Sequence, residues 1–120
     1  MIDHINIGVA DLDASRTFYE RALAPLGYVV VMDRPYGVGL GKDGKPDFWI
    51  SDRPSSAPLH VAFAADDRAT VDAFHAAALE AGGTDNGAPG VRAVYHPTYY
   101  GAYVLDPDGH NIEAVCHRPA

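Results

Sequence analysis

The chain holds one cysteine, Cys116, so no disulfide can close within it. A lone cysteine fits a reducing compartment, and a cytoplasmic location is expected. No stretch approaches the roughly 20 consecutive apolar residues that a membrane-spanning helix needs. The opening residues Met1-Ile2-Asp3-His4 lack a basic region followed by an apolar run, so no secretory signal is expected. Positive charge is also scarce: nine Lys+Arg face sixteen Asp+Glu, for a net charge of -7. Such a surface does not hold phosphate backbones non-specifically, which sets nucleic acid aside as a partner. Low-complexity segments and long linkers are absent too. What is present is 48% apolar and 21% charged residues in a chain of 120, the composition of one globular domain. These bounds leave an acidic domain acting on small molecules or protein partners. Its six histidines raise the question of a metal.

Periodicity divides the chain into strand-like and helix-like blocks. His4-Ile5-Asn6-Ile7-Gly8-Val9 alternates with period two, placing Ile5, Ile7 and Val9 on one face and His4, Asn6 and Gly8 on the other. Asp11 or Asp13 can cap a helix carrying Phe18, Tyr19, Ala22, Leu23 and Leu26, with Pro25 and Gly27 at its exit. Tyr28 to Met32, Tyr36 to Gly41 and Asp47 to Ile50 read as strands, with a turn at Asp43-Gly44. The same order then returns. After the connector Pro54-Ser55-Ser56-Ala57-Pro58 comes the strand Leu59 to Ala64. A helix follows, capped by Asp66 or Asp67, with Val71, Phe74, Ala78 and Leu79 on its apolar face and Gly82-Gly83 at its end. Val91 to His96, Tyr99 to Leu105 and Asn111 to His117 supply three further strands.

His4 and His60 hold matching places in the two halves, as do Asp43-Gly44 and Asp108-Gly109. The period of about 60 residues is too long for a solenoid. The expected fold is α+β: a single domain over residues 1–120 built of two βαβββ units, about 1–53 and about 58–118. The glycine-spaced strands suggest a curved eight-stranded mixed sheet around a cavity, with the helices against its other face. If the helices cover the Ile5 and Val61 face, His4 and His60 point into that cavity. Glu113, between Ile112 and Ala114 in a late buried strand, needs a partner there, because an unpaired buried carboxylate is costly. Two imidazoles and one carboxylate suit Fe(II), and also Mn(II), Zn(II) or Ni(II).

The paired units resemble the vicinal oxygen chelate superfamily, which includes glyoxalase I, extradiol ring-cleaving dioxygenases, fosfomycin-resistance enzymes and bleomycin-binding proteins. His4 to Val9, Phe18-Tyr19 and Asp106-Pro107-Asp108-Gly109-His110-Asn111-Ile112-Glu113 carry the resemblance, which spans the chain. It implies that His4, His60 and Glu113 occupy metal-ligand positions and that the chain pairs as a homodimer. Glyoxalase I usually has a fourth ligand, a glutamate in the last strand of the first unit. Here Phe48 or Trp49 falls at that place, with Asp47 able to serve only if the register shifts. The stretch His96 to Glu113 is similar to the extradiol motif, which implies that His96 and Tyr103 sit beside the substrate. Typical extradiol enzymes, however, have four units.

The leading expectation is thus a metal-dependent enzyme, Fe(II) favoured, acting on a small molecule with two vicinal oxygens. In an extradiol-like reaction His96 and Tyr103 would steer protons. One alternative is a glyoxalase I-like lyase. Another is a non-catalytic protein sequestering an aromatic ligand between Trp49, Tyr99, Tyr100 and Tyr103. His75 reads as a packed helix residue, and His110 and His117 as turn and terminal residues. Arg34 and Arg92 read as solvated surface able to meet an anion, and Cys116 as a small buried apolar residue.

Overall fold

The computed structural model describes residues 1–55 and 58–120; Ser56 and Ala57 of the expected connector lie outside the described residues. In the first unit β1 (Ile5–Val9) leads to α1 (Leu12–Ala22), a short 3-10 turn, then β2 (Val29–Arg34), β3 (Gly37–Lys42) and β4 (Lys45–Asp52). In the second, β5 (His60–Ala64) leads to α2 (Arg68–Glu80), β6 (Thr84–Val91), β7 (Tyr100–Leu105) and β8 (Asn111–Cys116). The duplication is realised strand for strand: one sheet runs β1-β4-β3-β2 and the other β5-β8-β7-β6. In each, the first strand pairs parallel with the last and the remaining pairs are antiparallel. The eight strands thus form two four-stranded ladders, with β1 and β5 both at edges, instead of one continuous hydrogen-bonded sheet.

Local chemistry sets the element ends. Asp11 caps α1 by accepting from the Ala14 amide at 3.1 Å, and Asp67 caps α2 by accepting from Thr70 at 2.7 Å. Gly27 ends the 3-10 turn in the left-handed region that its missing Cβ permits. Alternation buries Ile7 and Val9 of β1, Phe48 and Ile50 of β4, and Val61 and Phe63 of β5 in one cluster with Phe18 and Tyr19 of α1 and Phe74 of α2. The two units share this core directly: the Phe48 ring meets Tyr19 at 4.9 Å and Phe63 at 5.3 Å, both edge-on.

Two expectations require correction. Of the strand expected over Val91 to His96, only Val91 is strand, as the end of β6; residues 92–96 form a loop, in which the Tyr95 amide turns back to the Arg92 carbonyl at 2.9 Å. β6 lies upstream, over Thr84–Val91. It is an edge strand whose register shifts twice around Gly87, so it carries no apolar alternation. Leu79, expected on the apolar face of α2, is 36% exposed, whereas Val71, Phe74 and Ala78 are buried.

Beyond apolar packing, a buried polar contact ties the units together. The Tyr19 hydroxyl of α1 donates to Asp106 Oδ2 at 2.5 Å, and both residues are buried. The other oxygen of Asp106 accepts from the amides of Asp108 at 2.9 Å and His110 at 2.8 Å, closing the turn before β8. Burial, then the neighbouring Asp106 charge, holds the Tyr19 phenol protonated well above its ordinary range. Tyr19→Phe is therefore expected to lower unfolding stability by about 1–3 kcal/mol, read by urea titration, since Asp106 loses a buried donor. The raised value fixes the sign with pH. The Tyr19 contribution is complete below the ordinary tyrosine value of about 10 and is lost as pH rises toward the folded value. The gap between wild type and Tyr19→Phe should accordingly narrow in alkali.

Candidate active site

The strand β8 presents Asn111 and Glu113 on the face opposite Ile112 and Ala114, which pack into the core. Glu113 is 1% exposed, so its carboxyl needs partners, and two are present. Tyr99 donates its hydroxyl to Oε2 in a short hydrogen bond, and His60 Nε2 lies 3.0 Å from Oε1. His60 reaches this position because the parallel pairing of β5 with β8 sets it against Asn111, two residues before the Ala62–Glu113 pair. Its Nδ1 lies 3.1 Å from the Asn111 carbonyl, which can only accept, so the ring carries a proton there. Nε2 is left facing the carboxylate. One proton between them makes the contact attractive, and a cation could take its place.

These residues line a pocket of about 520 Å³ together with Tyr95, His96, Tyr103, Asn111 and His117. The Tyr103 ring stacks near His60 at 6.2 Å. His96 Nε2 meets His117 Nδ1 at 2.8 Å, while the Thr98 amide donates to His96 Nδ1 at 3.2 Å. An amide can only donate, so His96 accepts at Nδ1 and donates from Nε2 to His117. Burial, then its bond to Glu113, pushes the Tyr99 phenol well above the ordinary tyrosine range. Burial, then the Glu113 charge, also raises that of Tyr103.

The structure brings together His60, Glu113, His96, Tyr99 and Tyr103 of the expected residues. His4 lies elsewhere, in a second cavity of about 490 Å³ bordered by Lys42, Lys45 and β5. There Asp3 contacts His4 Nδ1 at 2.8 Å and Lys45 Nζ at 3.0 Å. Hydrogen bonds from His4 and then Lys45 hold the Asp3 carboxyl below its usual range. Trp49 is outside the first pocket's lining, and a Cβ on Gly39 would come within 2.9 Å of its indole. Tyr100 is outside it as well: its hydroxyl donates to Asp72 of α2 at 2.6 Å and Arg68 lies over its ring. Among the described residues, no three His, Cys, Asp or Glu side chains of one chain converge as a metal site.

The donor set nevertheless suits part of a divalent-cation shell. His60 is oriented by a carbonyl on its far nitrogen, as metal-bound imidazoles are, and Glu113 offers a carboxylate beside it. Asn111 Oδ1, in the same lining, is buried without a hydrogen-bond partner. An orphaned buried acceptor costs about 1–3 kcal/mol, so a donor or cation from a bound molecule would satisfy it.

Two features escaped sequence reasoning. Tyr99, read as pocket wall, is the tyrosine that touches Glu113. His110, read as a turn residue, is fully buried: its Nδ1 accepts from the Leu59 amide at 3.0 Å. The Leu59 carbonyl in turn accepts from Asn111 at 2.8 Å, so this residue seats the start of β5 and hence His60. Period-two alternation carries no signal for it, because His110 precedes the strand.

Comparison with known proteins agrees with this architecture. The family model described as the Glyoxalase/Bleomycin resistance protein/Dioxygenase superfamily matches residues 1–114. A glyoxalase/bleomycin resistance protein from Albidiferax ferrireducens T118 superposes with a TM-score of 0.83 at 32% identity, covering 98% of each chain. A glyoxalase/bleomycin resistance protein/dioxygenase family enzyme from Burkholderia phytofirmans PsJN gives 0.75 at 23% identity, again over 98% of each chain. A lactoylglutathione lyase from Agrobacterium tumefaciens gives 0.71 at 21% identity, covering 97% of this chain and 92% of its own. No curated protein sequence matches the chain.

The seating role of His110 is open to test. His110→Ala is expected to cost about 1–3 kcal/mol, since the Leu59 amide loses its acceptor. Amide exchange at Leu59 should accelerate, and the His60 imidazole resonances should shift. A protected Leu59 amide in the variant would count against the role.

Proposed function

We propose that the chain, which belongs to the Glyoxalase/Bleomycin resistance protein/Dioxygenase superfamily, is a metal-dependent enzyme acting on a small molecule with two vicinal oxygens. The observation that carries this reading is the buried Glu113 carboxylate facing a His60 ring whose other nitrogen is fixed by a backbone carbonyl. His60 and Glu113 would hold the metal, with Fe(II) favoured over Mn(II), Zn(II) or Ni(II) for a set of two imidazoles and one carboxylate. The third ligand, His4, borders a different cavity of the same chain, so a second copy would deliver it. The proposed working form is therefore a homodimer. When bound, the metal supplies Lewis acidity and a template for the paired oxygens.

The chain's own groups do the remaining work. Tyr99 holds one oxygen of Glu113 and so fixes the direction of the other. Tyr95, Tyr99 and Tyr103 wall the pocket, and Asn111 Oδ1 could accept from a substrate hydroxyl. His96 and Tyr103 border the same space, where they can hold or pass protons at the substrate. Trp49 and Tyr100 would contribute to a substrate pocket only from outside this lining.

Ring cleavage is favoured over glyoxalase I-like isomerisation by the register of the first unit. Asn6 pairs with Trp49 as Ala62 pairs with Glu113, so an indole stands where a fourth carboxylate ligand would be needed. A second reading, a non-catalytic binder of aromatic compounds, draws support from the three tyrosines and from the two-ligand set in a single chain.

His60→Ala is expected to weaken divalent-metal binding by roughly 10–100-fold or more on calorimetry. Mixing His4→Ala chains with His60→Ala chains should restore wild-type affinity at about a quarter of the sites, because each exchanged two-fold pair regains one intact site. Identical metal binding by both variants and wild type would remove the shared site. With Fe(II) loaded, catechol should drive oxygen uptake, slowed about 10²-fold or less by Tyr103→Phe if its hydroxyl only assists proton movement. Hemithioacetal isomerisation without oxygen uptake would select the lyase reading. Tight aromatic binding by metal-free protein, with neither activity, would select the binder.

A further inference from the structure

We infer that Arg92 is the residue by which this pocket recognises an anionic group, so that its ligand carries a carboxylate or similar anion on a small planar body. The inference deepens the reading of the His60–Glu113 pocket and rests on it for the planar, vicinal-oxygen part of the ligand.

The sequence offers few cations, and none of the residues lining the pocket is a lysine or arginine. Arg92 lies against one residue of that lining. Its guanidinium lies 5.3 Å from the ring centroid of Tyr103, a lining residue that also stacks near His60. Its backbone is fixed at the base of the loop carrying Tyr95 and His96, where the Arg92 amide donates to the Tyr99 carbonyl at 2.7 Å. The side chain is pinned as well: one terminal nitrogen donates to the Ala88 carbonyl at 2.6 Å.

The edge strand is built to leave room for it. The register of β6 slips on both sides of Gly87, and Gly87 sits at φ 153°, where side chains are strained. A Cβ at Gly87 would lie 3.3 Å from one guanidinium nitrogen, and a Cβ at Gly90 would lie 3.0 Å from the other. A Cβ at either position would crowd the guanidinium, which would have to give by a few tenths of an ångström. The bulge that sequence reading missed is thus a cradle for this cation.

Arg92 has no acidic partner among the described residues, although the chain carries an excess of carboxylates. The other described arginine held over a tyrosine, Arg68, meets a ring whose hydroxyl already donates to Asp72. A guanidinium has five donors and a fork that matches a carboxylate, and Arg92 spends one terminal nitrogen on a neutral carbonyl. The remaining donors face no fixed anion. Its positive charge is already felt at the hydroxyls of Tyr100 and Tyr103, where it opposes the upward shift of both phenols. A ligand that places its oxygens at His60 and Glu113 and its plane against Tyr103 would bring a ring substituent toward this fork.

Calorimetry with three probes decides the matter: catechol and 3,4-dihydroxybenzoate on anaerobic Fe(II)-loaded protein, and benzoate on metal-free protein. Wild type is expected to bind 3,4-dihydroxybenzoate at least tenfold more tightly than catechol. Arg92→Gln should erase that preference while leaving catechol affinity within about twofold, the tenfold corresponding to about 1.4 kcal/mol for one charge-assisted contact. Gly90→Val, which crowds the guanidinium without removing it, should lower the preference too. Equal binding of the two catechols by wild type would overturn the inference and leave the metal reading standing. Benzoate binding that is lost in Arg92→Gln, with no catechol binding by loaded protein, would uphold the anion site and overturn the metal reading. Failure of all three probes to bind would overturn both.

Discussion

The buried carboxylate of Asp106 joins the two units and fixes the strand that carries Glu113. On one side it receives the Tyr19 hydroxyl from the first unit. On the other it gathers the amides of Asp108 and His110 and fixes the turn from which β8 departs. The His110 ring, locked under that turn, accepts the Leu59 amide and aligns β5 beside β8. His60 and Glu113 then face each other as a consequence of two turns and one parallel register. A buried charge of this kind is costly unless every lone pair is used, and three donors meet it here. The same group therefore docks one unit on the other and helps to set the His60–Glu113 geometry of the second.

The duplication makes the difference between the units informative. Both pair their first and last strands with the same offset, so His4, Asn6 and Trp49 stand where His60, Ala62 and Glu113 stand in the second unit. Only the second carries a carboxylate at the decisive position. In the first, the indole lies against Gly39, where a Cβ would come within 2.9 Å of it, and the neighbouring polar pair is Ser51 donating to Asn6 at 2.8 Å. One unit thus retains a chemistry-bearing pair, whereas the other presents an aromatic surface and a single histidine.

Much of this was legible in the sequence because alternation reports faces. The period-two runs around Ile5, Val61 and Ile112, the aspartates at helix starts and the repeated Asp-Gly turns gave the unit order and the inward Glu113. Alternation does not report partners. Val91 to His96 has strand-like residues but closes on itself through the Arg92 carbonyl, while the true edge strand is polar and bulged. Tyr99 and Tyr100 are adjacent and chemically identical, so only the register of β7 sends one hydroxyl to Glu113 and the other to Asp72. His4 and His60 match in sequence because the units match, yet matched places in two separate sheets face different cavities.

The electrostatics of the pocket follow from that separation. Glu113 is almost completely buried, with the Tyr99 hydroxyl donating to one oxygen and His60 Nε2 3.0 Å from the other. The His60 side of this pair is half exposed, so the imidazole is the member of the pair open to solvent. The Tyr99 contact holds the carboxylate and the Asn111 carbonyl contact holds the imidazole, so the two groups are aligned independently of each other. The side-chain oxygen of Asn111, buried without a hydrogen-bond partner, belongs to a residue of the same lining. The carboxylate and the imidazole are thus oriented before any ligand arrives, and preorganisation of that sort lowers the cost of ordering the site when a group binds between them.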